Sequence, residues 1–340
     1  MKNKQLIAYL LFFSSIIPSF GQVMSRGQID SFSVAIYKIA KLNRYILTEK
    51  IDSAMLILED QSIEKYLARR DYFYISKLYF KLGNASLGKS YFEKYVSNPY
   101  TFFDDKIPNQ EDFKKDTVYL HLWEHYKPEQ IYAKLVRQRQ SNDSIVLKKL
   151  DIRDELMKLK PYDQLFRFDR NQFKKIVSDA FNMPYSPDDT LFSQNCWKIQ
   201  QNLDSINRIE LGKLLKRNND KWFSESLFGY KASYNAFLVV QHSDLDVNFQ
   251  QIHMPLLIQS YLETGERGFL AHMVFYLIDR ICVNTADEQY FGSQFRVIDD
   301  ELKLKKIVYG EDFADEIRSY CRFPSLAKYK KDSSEKVIKK

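Results

Sequence analysis

The sequence is poor in the residues and motifs that mark several common kinds of site. Its 340 residues include only 3 cysteines, 10 glycines and 9 prolines. Cys196, Cys282 and Cys321 lie far apart without a C-x-x-C pair, which argues against a disulfide framework and favours buried free thiols. The sequence has no Gly-rich phosphate loop, no G-x-S-x-G elbow and no dense cluster of metal ligands, so we predict neither a cofactor nor a metal.

Basic residues are in excess, but they are concentrated at the two ends of the chain. The formal net charge is +7. The first 21 residues contribute +2 and residues 328–340 contribute +4, which leaves +1 for the body. A nucleic-acid-binding protein would carry a basic face on its fold, so we expect no nucleic-acid partner. Residues 328–340 are predicted to be a solvated, frayed basic tail.

The N-terminus has the pattern of a secretory signal peptide. Lys2 and Lys4 precede an apolar run of 12 residues, Leu6 to Ile17, and small residues follow at Ser19 and Gly21. The run is shorter than the ~20 apolar residues that a membrane-spanning helix needs. The sequence therefore predicts an exported protein, periplasmic or secreted, with residues 1–21 removed and no integral membrane segment afterwards.

One short motif, HLWEH, has the spacing of a zinc peptidase site. His121 and His125 would share one face of a helix with Glu124 beside them. No third ligand is marked downstream, and the flanking residues lack the peptidase pattern. We therefore interpret the motif as two partly exposed histidines on a helix, with Glu124 paired locally.

The first half of the chain repeats a helical pattern at an offset of 34 residues. The stretch Tyr45 to Gln61 aligns with Tyr79 to Tyr95, and small residues, Ala54 and Gly88, coincide. Each copy predicts a long helix, a turn and a second helix. This pattern resembles a degenerate tetratricopeptide repeat over about residues 31–97, and the resemblance implies helical hairpins that offer a surface to a protein partner.

The second half is predicted to be mainly helical with one small β-hairpin. Two segments, 231–241 and 268–283, are apolar on nearly every face and should form buried helices. We expect one helix to be broken at Pro161 and a β-hairpin to span Phe295 to Tyr309 around two aspartates. The predicted fold class is mainly α, with hairpins over 22–140 and an α-helical domain over 145–327.

Polar residues interrupt the buried helices of this second half and mark a candidate site. His242 and Asp244 directly follow an apolar helix end, while Asp279 and Arg280 interrupt another. Such groups need partners, because an unpaired buried polar group costs roughly 1–3 kcal/mol. One hypothesis is a buried hydrogen-bond network that locks the helices together, with Asp244 capping the next helix.

The other hypothesis is a single polar pocket. In it His242 is the acid/base, held by Asp244 or Asp246, and Arg280 receives an anionic group. Three glutamines would orient the ligand, namely Gln241, Gln289 and Gln294.

Four motifs occur in an order that resembles a known family. They are DQLFR, VVQHSDLDVNFQ, YLIDR and QYFGSQF, spread over about residues 145–325. Together they resemble the bacterial domain of unknown function numbered 6624. The resemblance implies that Asp163, Gln164 and Arg167 share the site with the residues above, and it implies no chemistry. The sequence thus leaves two functions open, a protein-interaction or ligand-binding module of the cell envelope, or a hydrolase-type enzyme using His242, Asp244 and Arg280.

Overall fold

The computed structural model describes residues 23–97, 146–164, 190–264, 269–298 and 301–338. They form two compact units. One comprises residues up to 145 together with 251–340, and the other comprises 146–250. The predicted domain boundaries at 140, 145 and 327 stay predictions. HLWEH and Arg167 lie outside the described residues.

The first unit begins with two helical hairpins. The first pairs α1 (Arg26–Leu47) with α2 (Ile51–Leu58), and the second pairs α3 (Arg69–Lys81) with α4 (Ala85–Ser97). A 3₁₀ helix, Gln61–Tyr66, connects them. Helix α1 starts with a capping box in which Ser25 and Gln28 satisfy each other's backbone N–H groups.

The turns of the two hairpins have the same backbone conformation, 34 residues apart. Glu49 has φ +60° and Gly83 has φ +74°, so each helix ends in a left-handed residue. The next amide donates to the carbonyl of Tyr45 in one hairpin and of Tyr79 in the other, at 2.9 Å in both. The offset predicted from the sequence is therefore a structural offset.

Close packing inside the second hairpin depends on a glycine. A Cβ placed on Gly88 would lie 2.8 Å from three ring carbons of Phe80. Ala54, the corresponding residue of the first hairpin, is fully buried. Small residues at this position let the second helix of each hairpin approach the first, which agrees with the role that the sequence suggested for them.

The remainder of the first unit combines helices with two small sheets. Its helices are α9 (Val247–Thr264), whose first turn belongs to the other unit, α10 (Phe269–Ala286), α11 (Glu311–Tyr320) and α12 (Leu326–Ile338). Strands β2 (Phe295–Ile298) and β3 (Glu301–Leu304) pair antiparallel with Phe295 opposite Leu304, as the predicted β-hairpin requires. Strands β1 (Glu288–Gln289) and β4 (Lys306–Ile307) pair in parallel.

The two ends of the chain share the core of this unit. The Tyr320 hydroxyl donates to the buried carboxylate of Asp71 at 2.9 Å, and the Asn43 amide donates to the same carboxylate at 2.9 Å. The ring of Phe32 on α1 lies 6.3 Å from that of Phe275 on α10. The N-terminal hairpins thus pack on elements from the C-terminal third.

The second unit is made of helices. They are α5 (Leu150–Gln164), α6 (Thr190–Arg217), the short α7 (Glu225–Phe228) and α8 (Tyr230–Gln241), together with the first turn of α9. Helix α6 ends at Arg217, and left-handed residues follow at Asn219 and Asp220, where the sequence predicted a polar break. The mainly α fold class is confirmed.

The predicted break at Pro161 is wrong, because α5 continues through this residue to Gln164. A proline inside a helix leaves the carbonyl four residues earlier, here that of Met157, without its backbone donor. The buried Asn235 amide lies 3.2 Å from the Leu156 carbonyl and 3.5 Å from that of Met157. A tertiary contact from α8 therefore helps the helix to tolerate the proline.

The prediction of a frayed tail is also wrong for most of its length, since α12 covers Leu326–Ile338. Leu326 is fully buried. The ring of Tyr329 lies 5.2 Å from that of Phe295, and the Arg318 guanidinium lies 4.7 Å above it. Two apolar anchors thus hold the start of a helix whose composition alone suggested disorder. Among the described residues, no helix is both long and apolar enough to cross a bilayer.

Candidate functional site

The predicted site residues fall into two groups, one in each compact unit. Asp163, Gln164, Gln241, His242 and Asp244 lie in the second unit. The other group, in the first unit, consists of Asp279, Arg280, Gln289 and Gln294. A single pocket that joins both groups stays a prediction, and each group is described by itself.

In the second unit His242 is paired with Asp163. The Nδ1 atom of His242 lies 2.9 Å from both carboxylate oxygens of Asp163. The histidine side chain is 17% exposed, whereas the aspartate side chain is 1% exposed. A carboxylate buried to this degree needs a partner, and the imidazole provides an N–H donor. None of the described residues hydrogen-bonds to the other ring nitrogen, Nε2.

The two members of the pair come from helix ends that are held by other contacts. Asp163 stands in the last turn of α5, two residues after Pro161. The side-chain amide of Gln164 also donates to its carboxylate. His242 is the C-cap residue of α8, and its backbone N–H donates to the Leu238 carbonyl at 2.9 Å. The pair therefore links two helix termini that are 79 residues apart in sequence.

The turn after His242 is fixed by the fully buried side chain of Gln250. Its amide nitrogen donates to the Gln241 carbonyl at 3.0 Å and to the Asp244 carboxylate at 3.2 Å. Because both partners are acceptors, they determine which end of the amide is nitrogen. The amide oxygen of Gln250 is buried without a hydrogen-bond partner. Gln250 thus holds the chain on both sides of His242.

The aspartates after His242 serve the turn and the next helix. The Asp246 carboxylate accepts from the Phe249 backbone N–H at 3.0 Å and so caps α9, a role that the sequence analysis considered for Asp244. Arg208 of α6 approaches the same carboxylate at 3.8 Å. The hydrogen bonds of the His242 ring go to Asp163, which the sequence predicted as a ligand-binding residue, and not to Asp244 or Asp246.

In the first unit Asp279 organises a tight turn. Its carboxylate is fully buried and accepts the backbone N–H groups of Tyr290, Phe291 and Ser293 at 2.7, 3.0 and 2.9 Å. Burial raises the pKa of Asp279 to about 6, although these three donors act in the opposite direction. Arg280, the next residue, is half-buried on α10.

Gln289 and Arg318 complete the turn. The Gln289 amide donates to the carbonyls of Gln294 and Lys305 and accepts the Gln294 N–H at 2.8 Å. The buried Arg318 donates to the Phe291 carbonyl at 3.1 Å. Gly292, with φ +69°, lies inside this network. Asp279 and Gln289 thus have all their hydrogen bonds described above within the turn, as expected of structural residues.

Sequence reasoning missed the polar residues that α6 buries. Gln200, Asp204 and Asn207 are at most 9% exposed. The Gln200 amide donates to Asp204 at 2.8 Å, and the Asn207 amide donates to the Leu159 carbonyl of α5 at 3.1 Å. Their spacing of four and three residues was the available signal, since it marks one helix face.

The geometry can support proton transfer at one place, the exposed edge of the His242 ring. A neutral imidazole that donates from Nδ1 to a carboxylate keeps an acceptor at Nε2, and the carboxylate stabilises the imidazolium that forms when this atom takes a proton. The described ranges contain no group of three or more His, Cys, Asp or Glu placed to hold a metal ion.

These observations define a class of protein, a mainly α-helical protein with a half-exposed His–Asp pair in one unit and a carboxylate-held turn in the other. Residues 173–335 match the model of DUF6624, described as a family of unknown function. The match confirms the resemblance inferred from the motifs and includes three of the four, while DQLFR precedes it. No curated protein and no solved structure matches the chain.

Proposed function

We propose that the chain is a hydrolase-type enzyme in which His242 is the general acid/base and Asp163 orients it. The observation that supports this proposal is the pairing itself, a nearly inaccessible carboxylate against one ring nitrogen and an accessible edge at the other. A purely structural pair gains nothing from an accessible Nε2 that has no partner among the described residues.

In this proposal His242 removes a proton from water or from a hydroxyl group of the substrate at Nε2. Asp163 holds the tautomer with the proton on Nδ1 and offsets the positive charge that develops on the ring. Gln250 fixes the turn on either side of the histidine. Arg280 and Gln294 stay proposed ligand-binding residues.

We expect His242→Gln to abolish turnover while the protein keeps its fold. A glutamine amide can still donate to Asp163, so the melting temperature should change little, but it cannot accept a proton at neutral pH. Loss of general acid–base catalysis typically costs 10²–10⁴-fold in rate. The measurement is hydrolysis of p-nitrophenyl acetate and p-nitrophenyl phosphate by the mature chain between about pH 5 and pH 9.

Asp246→Asn is the matched control, because it changes a carboxylate four residues away that caps a helix and does not contact the imidazole. It should retain turnover. Wild-type protein that hydrolyses neither probe, or a His242→Gln variant as active as wild type, would contradict the enzyme proposal.

The second candidate function is a protein-interaction module, and the N-terminal hairpins favour it. Leu56 on α2 is 70% exposed and Leu87 on α4 is 40% exposed, so the second helix of each hairpin presents an apolar side chain. Such hairpins form surfaces for partner helices. This function requires no residue of the His242 pair, so full loss of a measured turnover in His242→Gln would count against it as the sole role.

We also infer export to the cell envelope, from the composition of residues 1–21. A fusion of residues 1–30 to alkaline phosphatase, which folds to an active form only outside the cytoplasm, should be active. Replacing Leu10 and Leu11 with arginine should abolish that activity, because two charges disrupt the apolar run. An inactive parent fusion that accumulates in the cytoplasm would exclude export by this segment.

A further inference from the structure

Helix α6 is inverted along its N-terminal half. The positions that it buries are polar, Gln200, Asp204 and Asn207, whereas Ile199, Ile206 and Ile209 are 48%, 52% and 61% exposed. Further along the same helix the usual arrangement returns, with Leu211, Leu214 and Leu215 buried. The three isoleucines therefore contribute little apolar burial to the monomer.

The exposed side chains follow the spacing of a helix–helix interface. Ile199, Asn202, Ile206 and Ile209 are separated by three, four and three residues, the repeat by which one helix packs along another. Asn202, the single polar member, is also exposed. A contiguous apolar stripe of this kind is typical of an interaction surface, unlike single exposed apolar residues.

The stripe is complementary to itself when two copies run antiparallel. A two-fold axis that passes the level of Asp204 brings together residues at equal distances before and after it. Ile199 and Ile209 are each five residues from that position, so they meet across the axis. Asn202 and Ile206 are each two residues from it and also meet. Such a contact is isologous, the arrangement found in most homodimers.

The charges beside the stripe agree with the same axis. Lys198 and Glu210 are each six residues from the position of Asp204, so the lysine of one copy faces the glutamate of the other. Lys198 is exposed, and Glu210 is half-buried with its carboxylate 2.7 Å from Lys213 of its own helix. Lys213 is level with Asn195 of the second copy, so no repulsion arises there. A parallel pairing would instead place Asn202 against its own copy.

We propose that the chain forms an antiparallel homodimer through residues 198–210 of α6, with a second copy of this chain as the partner. The proposal is independent of the catalytic role of His242. The interface consists of the Ile199–Ile209, Asn202–Ile206 and Lys198–Glu210 contacts, each formed twice.

Sedimentation velocity of the mature chain over a range of micromolar concentrations should show a monomer–dimer equilibrium. Ile206→Asp should raise the dissociation constant at least tenfold, because it places a carboxylate at the centre of an apolar contact. Leu56→Asp is the control, since it changes an equally exposed apolar residue elsewhere and should leave the equilibrium unchanged. Wild-type protein that is monomeric throughout, or a dimer insensitive to Ile206→Asp, would overturn the proposal.

Two further variants test the direction of pairing. Lys198→Glu and Glu210→Lys should each weaken the dimer, and the double variant should restore it. In a Cys196→Ser background, Ile199→Cys mixed with Ile209→Cys should form an intermolecular disulfide on oxidation. Ile199→Cys alone should not, because the two copies of this residue would be ten helical residues, ~15 Å, apart. Efficient self-cross-linking of Ile199→Cys would refute the antiparallel arrangement.

Discussion

Asp279→Ala is expected to destabilise the protein by about 3 kcal/mol or more below about pH 5. The substitution leaves the backbone N–H groups of Tyr290, Phe291 and Ser293 without their acceptor in the core. Each such orphaned group costs roughly 1–3 kcal/mol. Urea unfolding followed by circular dichroism measures the effect. A loss below about 1 kcal/mol would show that these groups find other partners.

The deficit of Asp279→Ala should narrow as the pH rises. The pKa of Asp279 is about 6 in the folded protein, above its ordinary value of 3.8, so the folded state holds the proton more tightly than the unfolded chain. The stability linked to this proton is complete below about pH 4 and is lost as the pH rises through about 6. A difference of about two pKa units corresponds to about 3 kcal/mol.

Asp279→Asn is the control for this titration, because it keeps the size of the side chain and one carbonyl acceptor but cannot ionise. Its stability should lack the component that wild type loses between about pH 4 and pH 6. A wild-type profile parallel to that of Asp279→Asn would show that the carboxyl does not titrate in this window.

Gly292→Ala is expected to destabilise the protein by about 2–5 kcal/mol. The left-handed conformation, φ +69°, costs a residue with a Cβ about 1–2 kcal/mol, and overpacking a core costs typically 1–3 kcal/mol more. The new Cβ would lie 2.4 Å from Cδ2 of Leu326 and 3.2 Å from Cδ1 of Ile307. Thermal and urea unfolding measure the loss.

Gly310→Ala separates the two causes, because Gly310 has φ +85° and no heavy atom within 4 Å of a built Cβ. It should lose only the backbone contribution. Combining Gly292→Ala with Leu326→Ala tests the steric part, since the double variant should be more stable than the sum of the single losses predicts. Equal losses in Gly292→Ala and Gly310→Ala would rule out the clash with Leu326.

Local patterns predicted much of the fold because they are set by neighbouring residues. The 34-residue offset between the hairpins appears in the structure as matching turns at Glu49 and Gly83. The β-hairpin and the turn at Gly292 followed from alternation and from glycine. The break predicted at Pro161 failed because a single side chain from another helix, Asn235, compensates for the lost donor.

The candidate site was only partly predictable, for a physical reason. The sequence marks polar residues in apolar surroundings, which must have partners, but it does not say which partners. His242 and Asp163 were both identified, yet their pairing across 79 residues depends on how α5 and α8 pack. Asp279 and Gln289 were assigned to a ligand and instead satisfy the backbone of their own turn.

The sequence by itself determined the helical class, the repeated hairpins, the family resemblance and the identity of the unusual polar residues, because these depend on periodicity and composition along the chain. Tertiary structure alone decided which carboxylate holds His242 and which face of α6 is buried. Periodicity identifies two faces of that helix, one polar and one apolar, and would assign the apolar face to the core. Only its packing against α5 shows that the polar face is inside and that the isoleucines face outward.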